Sequence, residues 1–318
     1  MRDFLRRAGL GRLAYRLYHA PVGEVRESIA AGGPWEQWLT YRGRTAMEQA
    51  AGGLPPPPGF GGPPLELHLL TGRRFWYQTA FCLWTFARQS RRDLAPVIYD
   101  DGTLEAGQAA TLHRIFPRLR VHHHPEVVAR LDAHLPRSRF PALRARGDNY
   151  LLLHKLTVPH IGSTGWKLLI DSDLLFFHRP TLLLDWLEAP MQPLCATDIQ
   201  NAYGYPLELL RELAGQPVPE RVNTGLIGLR SEEIDWDRLE YWCRTLIERQ
   251  GTHYYQEQAL VALLLAGRRH CAAPPADYVT LPRPPEASEC RAVMHHYVAG
   301  SKRWYFRENW RRVLADNP

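Results

Sequence analysis

Trp166-Lys167-Leu168-Leu169-Ile170-Asp171-Ser172-Asp173-Leu174-Leu175-Phe176-Phe177 is the stretch on which the reading of this chain turns. Two apolar runs of strand length flank a pair of carboxylates two residues apart. On an extended backbone, side chains at i and i+2 point the same way, so Asp171 and Asp173 can face one ligand while Ser172 faces away. Burying an unpaired ionised carboxylate is costly, and a positive centre is therefore expected between them. A hard divalent cation carrying a diphosphate fits, because Mg²⁺ or Mn²⁺ is commonly held by one or two carboxylates and completed by phosphate oxygens. The competing reading is a plain turn between two strands, a position Asp and Ser also favour.

Outward from this stretch the pattern alternates between strand and helix. Residues 65–71 and 95–99 read as strands, and 75–89 as a helix. A helix over 104–116 would be capped by Thr103, and Asp148 or Asn149 would cap the next one. Trp166–Ile170 is a strand, and further helices follow Pro180 and span 235–249 and 253–265. Such alternation predicts an α/β sandwich with a mostly parallel central sheet. Ligands of these sheets bind beyond the carboxyl ends of the strands, which is where Asp100, Asp101 and Asp171 fall.

The ordered set Asp171-Ser172-Asp173, Asn223-Thr224-Gly225-Leu226, Tyr255-Gln256-Glu257-Gln258 and His296-Tyr297, with Lys302 and Trp304 behind, resembles the motifs of the GT-A glycosyltransferases. The likeness is greatest to their family 8 group, which includes glycogenin and the lipopolysaccharide galactosyltransferases, and it runs from about residue 65 to the C-terminus. It implies a GT-A catalytic domain over 65–318; ahead of it, composition gives a helical appendage (1–51) and a Pro/Gly-rich linker (52–64). It implies Mn²⁺, or Mg²⁺, on Asp171, Asp173 and His296, and a nucleoside diphosphate sugar, a UDP-sugar, as donor. Glu257 and Asn223 would join Asp173 at the reaction centre. Thr71, Asp100, Lys155, Thr224, Gln258 and Lys302 would contact the donor, with Lys155 standing near where the family carries an Arg. The acceptor would be a hydroxyl of a glycan, lipid or protein, and family 8 enzymes retain configuration. In the family a Gly stands three residues after the His and a Pro just before the Trp; here these are Ala299 and Arg303. His295 competes with His296, and strand alternation lets only one of the two reach a metal.

Composition narrows the alternatives. A chain of 318 residues, 45% hydrophobic, can bury a sizeable core. The longest apolar run, 259–266, is far short of the roughly 20 residues that cross a bilayer. Arginines interrupt residues 1–20, so no secretory signal is read, and a cytoplasmic location is expected. Those residues mix arginines with Phe4, Leu5, Leu10 and Leu13 as a basic amphipathic helix would; such helices mostly pack on their own domain, and the other reading is a peripheral membrane contact. The five cysteines form no C-x-x-C pair, and reduced thiols are expected. The charge of +6 favours an anionic partner, with no nucleic acid expected. His122-His123-His124 lacks metal-site spacing and reads as a loop before Pro125. Two other functions remain open: a sugar-phosphate nucleotidyltransferase, and a non-catalytic carbohydrate- or nucleic-acid-binding protein on a degenerate transferase scaffold.

Overall fold

The computed structural model describes residues 33–315. The basic segment 1–20 lies outside the described residues. The described residues divide into two compact units, one made of residues 33–47 and 302–315, the other of residues 48–301. In the first unit, helix α1 (Gly33–Gly52, its last residues belonging to the larger unit) packs on the C-terminal helical segment. Gly43 lies so close to the Phe306 carbonyl that a Cβ would sit 2.2 Å from its oxygen, and Arg307 binds Glu36 and Thr40.

The larger unit is built on a seven-stranded sheet of order β3-β2-β1-β4-β7-β6-β8. The strands are β1 (His68–Thr71), β2 (Val97–Asp100), β3 (Arg120–His122), β4 (Trp166–Ile170), β6 (Leu194–Thr197), β7 (Val222–Arg230) and β8 (Cys271–Ala272). All neighbours pair in parallel except β7, which runs antiparallel to both β4 and β6. A three-stranded sheet sets β10 (Met294–His296) between β5 (Leu174–Phe176) and β9 (Tyr278–Thr280).

Helices cover the strands as an α/β sheet requires. Helix α2 (Trp76–Ser90) is buried along nearly its whole length, packs on β1 and β5, and sets Phe86 edge-on against Phe176. It closes with Arg91 in the left-handed region, whose N–H donates to the Ala87 carbonyl. Helix α3 is Ala106–Ile115 and α4 is His124–His134. Leu131, Leu143 of α5 (Pro141–Asn149), Leu153 of α6 (Leu153–Thr157), Leu239 of α9 (Trp236–Gln250) and residues 259–265 of α10 (Gln256–Leu265) share one core with Leu169 and Ile227 of the sheet. Every residue of α10 is buried, the polar Gln256, Glu257 and Gln258 of its first turn included, and from Ala259 to Leu265 it is apolar all round instead of amphipathic. Helices α7 (Thr181–Glu188) and α8 (Leu207–Ala214) complete the larger elements.

Three local expectations are corrected. Thr103 does not cap α3: Glu105 does, in a reciprocal capping box with Gln108, while the Thr103 hydroxyl bonds Asp101. Asp148 and Asn149 end α5 instead of starting a helix, because Pro141 at the first turn had already begun one. His124 opens α4 instead of lying in a loop, with Pro125 in the first turn.

Candidate active site

Strand β4 ends at Ile170, and the chain crosses to the small sheet through Asp171-Ser172-Asp173. Both aspartates are pinned by their backbones. The Asp171 N–H donates to the Gly225 carbonyl on β7 (2.9 Å), and the Asp173 carbonyl accepts from the Tyr297 N–H just after β10 (3.0 Å). Strand β10 pairs His296 opposite Leu174, which brings its imidazole back over the turn. His296 Nε2 lies 3.6 Å from Asp171 Oδ2 and 3.3 Å from Asp173 Oδ1. One ligand atom from each of the three residues falls within 4.8 Å of the others.

The imidazole's orientation follows from Asn223. Its amide nitrogen donates to Asp198 Oδ2 at 2.9 Å, so its carbonyl oxygen faces the ring, where it also accepts the Gly225 N–H. His296 Nδ1, 3.1 Å from that oxygen, must then carry the proton and donate. Nε2 faces two carboxylate oxygens, an arrangement that calls for positive charge there, whether a proton on Nε2 or a cation between the three groups. Two carboxylates and an imidazole whose other nitrogen is tied in a hydrogen bond form a donor set suited to Mn²⁺. Gly225 makes room for the ring, since a Cβ there would lie 2.5 Å from His296 Cε1 and Nδ1.

A second cluster backs the first. Lys155, buried on α6, sets Nζ 2.6 Å from Asp171 Oδ1 and donates to the Thr224 carbonyl at 3.1 Å. Burial alone would lower its pKa, but the Asp171 and Glu257 carboxylates outweigh it and hold the ammonium charged. Glu257 on α10 is buried, and its Oε2 accepts from the Thr224 hydroxyl at 2.7 Å. Its Oε1 is buried with no hydrogen-bond partner. Burial pushes the Glu257 carboxyl up against the opposing pull of Lys155 and Thr224. Cys82 donates to the Asp171 carbonyl at 3.4 Å; burial, with Asp173 and Asp171 nearby, pushes its thiol far up and leaves it an inert packing group.

No family model and no curated protein matches the sequence. Among solved structures the chain is similar to galactosyltransferase LgtC in complex with donor and acceptor sugar analogues (TM-score 0.49, 14% identity, 80% of this chain and 98% of that one). It is also similar to the WbbM bifunctional glycosyltransferase (TM-score 0.49, 13% identity), covering 79% of this chain and about half, 51%, of that one. A third is mouse xyloside xylosyltransferase 1 (TM-score 0.46, 14% identity, 74% of this chain and 97% of that one).

Of the residues singled out from the sequence, Asp171, Asp173, His296, Asn223, Thr224, Lys155, Glu257 and Gln258 belong to one bonded network. Gln258 Nε2 donates to Asp198 Oδ2 (3.2 Å) and to the Ala202 carbonyl (2.9 Å). Thr71 and Asp100 end the strands parallel to β4 and so stand on the same sheet edge, outside that network. The Thr71 hydroxyl is bonded to that of Thr79. Asp100 Oδ1 accepts the N–H groups of Gly102, Thr103 and Leu104, which is the turn-forming use of an Asp. His295 points to the other side of β10, between Tyr297 Oη and Glu286 Oε1. Lys302 belongs to the first unit, at the start of a helical turn.

Asp198 was not foreseen. It gathers Asn223 and Gln258 on one oxygen and its own Ile199 N–H on the other. The available signal was its place just after the short apolar strand β6, the same placement that marks Asp171 after β4.

Proposed function

We propose that this chain is a metal-dependent glycosyltransferase that moves a sugar from a nucleoside diphosphate donor, a UDP-sugar, to a hydroxyl acceptor with retention of configuration. The observation that carries this reading is the convergence of Asp171, Asp173 and His296, far apart in sequence, with ligand atoms within 4.8 Å. They belong to the ordered motifs whose resemblance suggested the activity. Asp171 Oδ2, Asp173 Oδ1 and His296 Nε2 would hold Mn²⁺. When bound, the ion acts as a Lewis acid on the donor diphosphate and stabilises the charge that develops on it as the glycosidic bond breaks.

The protein's own groups prepare the site. Asn223 fixes the His296 tautomer, and Lys155 occupies Asp171 Oδ1, leaving Oδ2 to the ion. Glu257 keeps one uncommitted oxygen, Oε1, in a dry setting where a hydrogen bond to a sugar hydroxyl would be worth more than in water. The network of Asp198, Asn223 and Gln258 holds the β6 and β7 edges and α10 in register around it.

The direct test is release of nucleoside diphosphate from a panel of UDP-sugars with Mn²⁺ present. Turnover is expected for at least one donor, abolished by EDTA and lowered about 100-fold or more by Asp173→Ala. Full activity of that variant at unchanged Mn²⁺ would remove the metal role.

A further inference from the structure

Helix α1 has one face seated and one face bare. Gly43, Glu36 and Thr40 pack on Phe306 and Arg307 within the same unit. The opposite face carries Trp35, Trp38 and Tyr41, exposed by 64%, 42% and 68%. The two indoles stack at 4.6 Å with a 21° interplanar angle, and the Arg42 guanidinium lies 4.8 Å over Trp38. On a helix, residues 35, 38, 41, 42 and 45 share a single arc, so the aromatics and Arg42 form one stripe.

From this stripe we infer that α1 is a peripheral anchor for a bilayer surface rich in anionic phospholipid. Tryptophan and tyrosine are the side chains that settle at the lipid–water boundary, where the ring is apolar and the N–H or O–H remains wet. Charge complementarity selects the anionic surface. Of the two acids on α1, Glu36 is held by Arg307 and Glu48 accepts from Trp76 Nε1, so neither carboxylate stands without a partner beside the stripe. The preceding residues 1–32 carry six arginines against three acids, and each basic group near such a surface adds attraction. A second copy of the chain is a poorer occupant, because a two-fold contact sets the same patch against itself and would oppose Arg42 to Arg42 with no acid between. No described helix is long and apolar enough to cross a membrane, so α1 lies on the surface rather than spanning it.

The test is co-sedimentation of the full chain with phosphatidylcholine vesicles and with equal mixtures of phosphatidylcholine and phosphatidylglycerol. Binding is expected only to the mixed vesicles, and Trp35→Ser/Trp38→Ser/Tyr41→Ser should weaken it about ten-fold or more. As a check independent of folding, Trp35→Phe/Trp38→Phe keeps the apolar area and should still bind, but should lose the fluorescence quenching that brominated phosphatidylglycerol causes in the wild type. The inference is overturned if the wild type ignores mixed vesicles, if the triple variant binds as well as the wild type, or if quenching survives the Phe substitutions. It is equally overturned if light scattering shows a dimer that the triple variant dissociates while vesicle binding is unchanged.

Discussion

Replacing Gly225 by Ala should uncouple metal binding from the rest of the fold. The new Cβ would lie 2.5 Å from His296 Cε1 and Nδ1 and 2.9 Å from Asn223 Oδ1, against an ordinary contact of 3.4 Å or more. The ring must therefore retreat by about 1 Å. Metal–ligand distances tolerate only about 0.2 Å, so His296 Nε2 would leave the proposed coordination position, and the 3.1 Å bond of Nδ1 to Asn223 would be stretched or broken. Losing an oriented ligand or its hydrogen-bonded support costs about 10–100-fold in metal affinity. Overpacking costs about 1–3 kcal/mol of stability in addition. The same strand supplies the control. At Gly228 a Cβ would meet Trp186 Cζ2 at 2.5 Å, an equal crowding on an indole instead of a ligand. Calorimetric titration with Mn²⁺ in the presence of UDP, together with urea unfolding of each variant, separates the two effects. Both variants should lose stability to a similar degree, and only Gly225→Ala should lose Mn²⁺ affinity. Wild-type affinity in Gly225→Ala, or an equal loss in Gly228→Ala, would refute the reasoning.

Removing the ammonium of Lys155 by Lys155→Met leaves Asp171 and Glu257 without their buried counter-charge, and breaking such a pair costs about 3–5 kcal/mol; urea unfolding at pH 7 measures it, and a loss below about 1 kcal/mol would contradict the assignment. His154, held down to about 4 by burial and then by neighbouring His124, binds its proton less readily folded than unfolded. The sign follows: between pH 6.5 and 4 the unfolded chain holds more protons, so this contribution is complete above 6.5 and is lost as the pH falls towards 4. Because the side chain is partly exposed, about 2 kcal/mol is expected. Unfolding at pH 7 and pH 4 should show His154→Gln losing about that much less than the wild type on acidification.

The strand that ends in the aspartates was legible to the residue, because Trp166–Ile170 is apolar but for Lys167 and is closed by a charged pair. Strand β7 was not, since its residues were read only as the motif Asn223-Thr224-Gly225-Leu226, and its direction was beyond reach. Val222–Leu229 is buried on both faces, and a strand buried on both faces reads the same whichever way it runs. That direction matters, because it brings Asn223 and Gly225 to the edge where β4 ends. The resemblance put Asn223 beside the transferred sugar; the structure commits its amide to His296, Gly225 and Asp198, contacts across as many as 73 residues that no local pattern encodes. Asp100 shows the converse. Asp and Gly in Asp100-Asp101-Gly102-Thr103 are turn-forming residues as well as ligand candidates, and three backbone amides bond the Asp100 carboxylate in that turn. Capping errors arose where two signals competed within a few residues, Thr103 against Glu105 and Asp148 against Pro141.

The most direct measurement is the Mn²⁺ stoichiometry of the full chain by electron paramagnetic resonance, for the wild type, Asp173→Ala and His296→Ala, with thermal unfolding to establish that each is folded. One ion should bind the wild type in the presence of UDP, and both variants should release it while remaining folded. Unchanged binding in the folded variants would show that Asp173 and His296 meet for some other reason than to hold a metal.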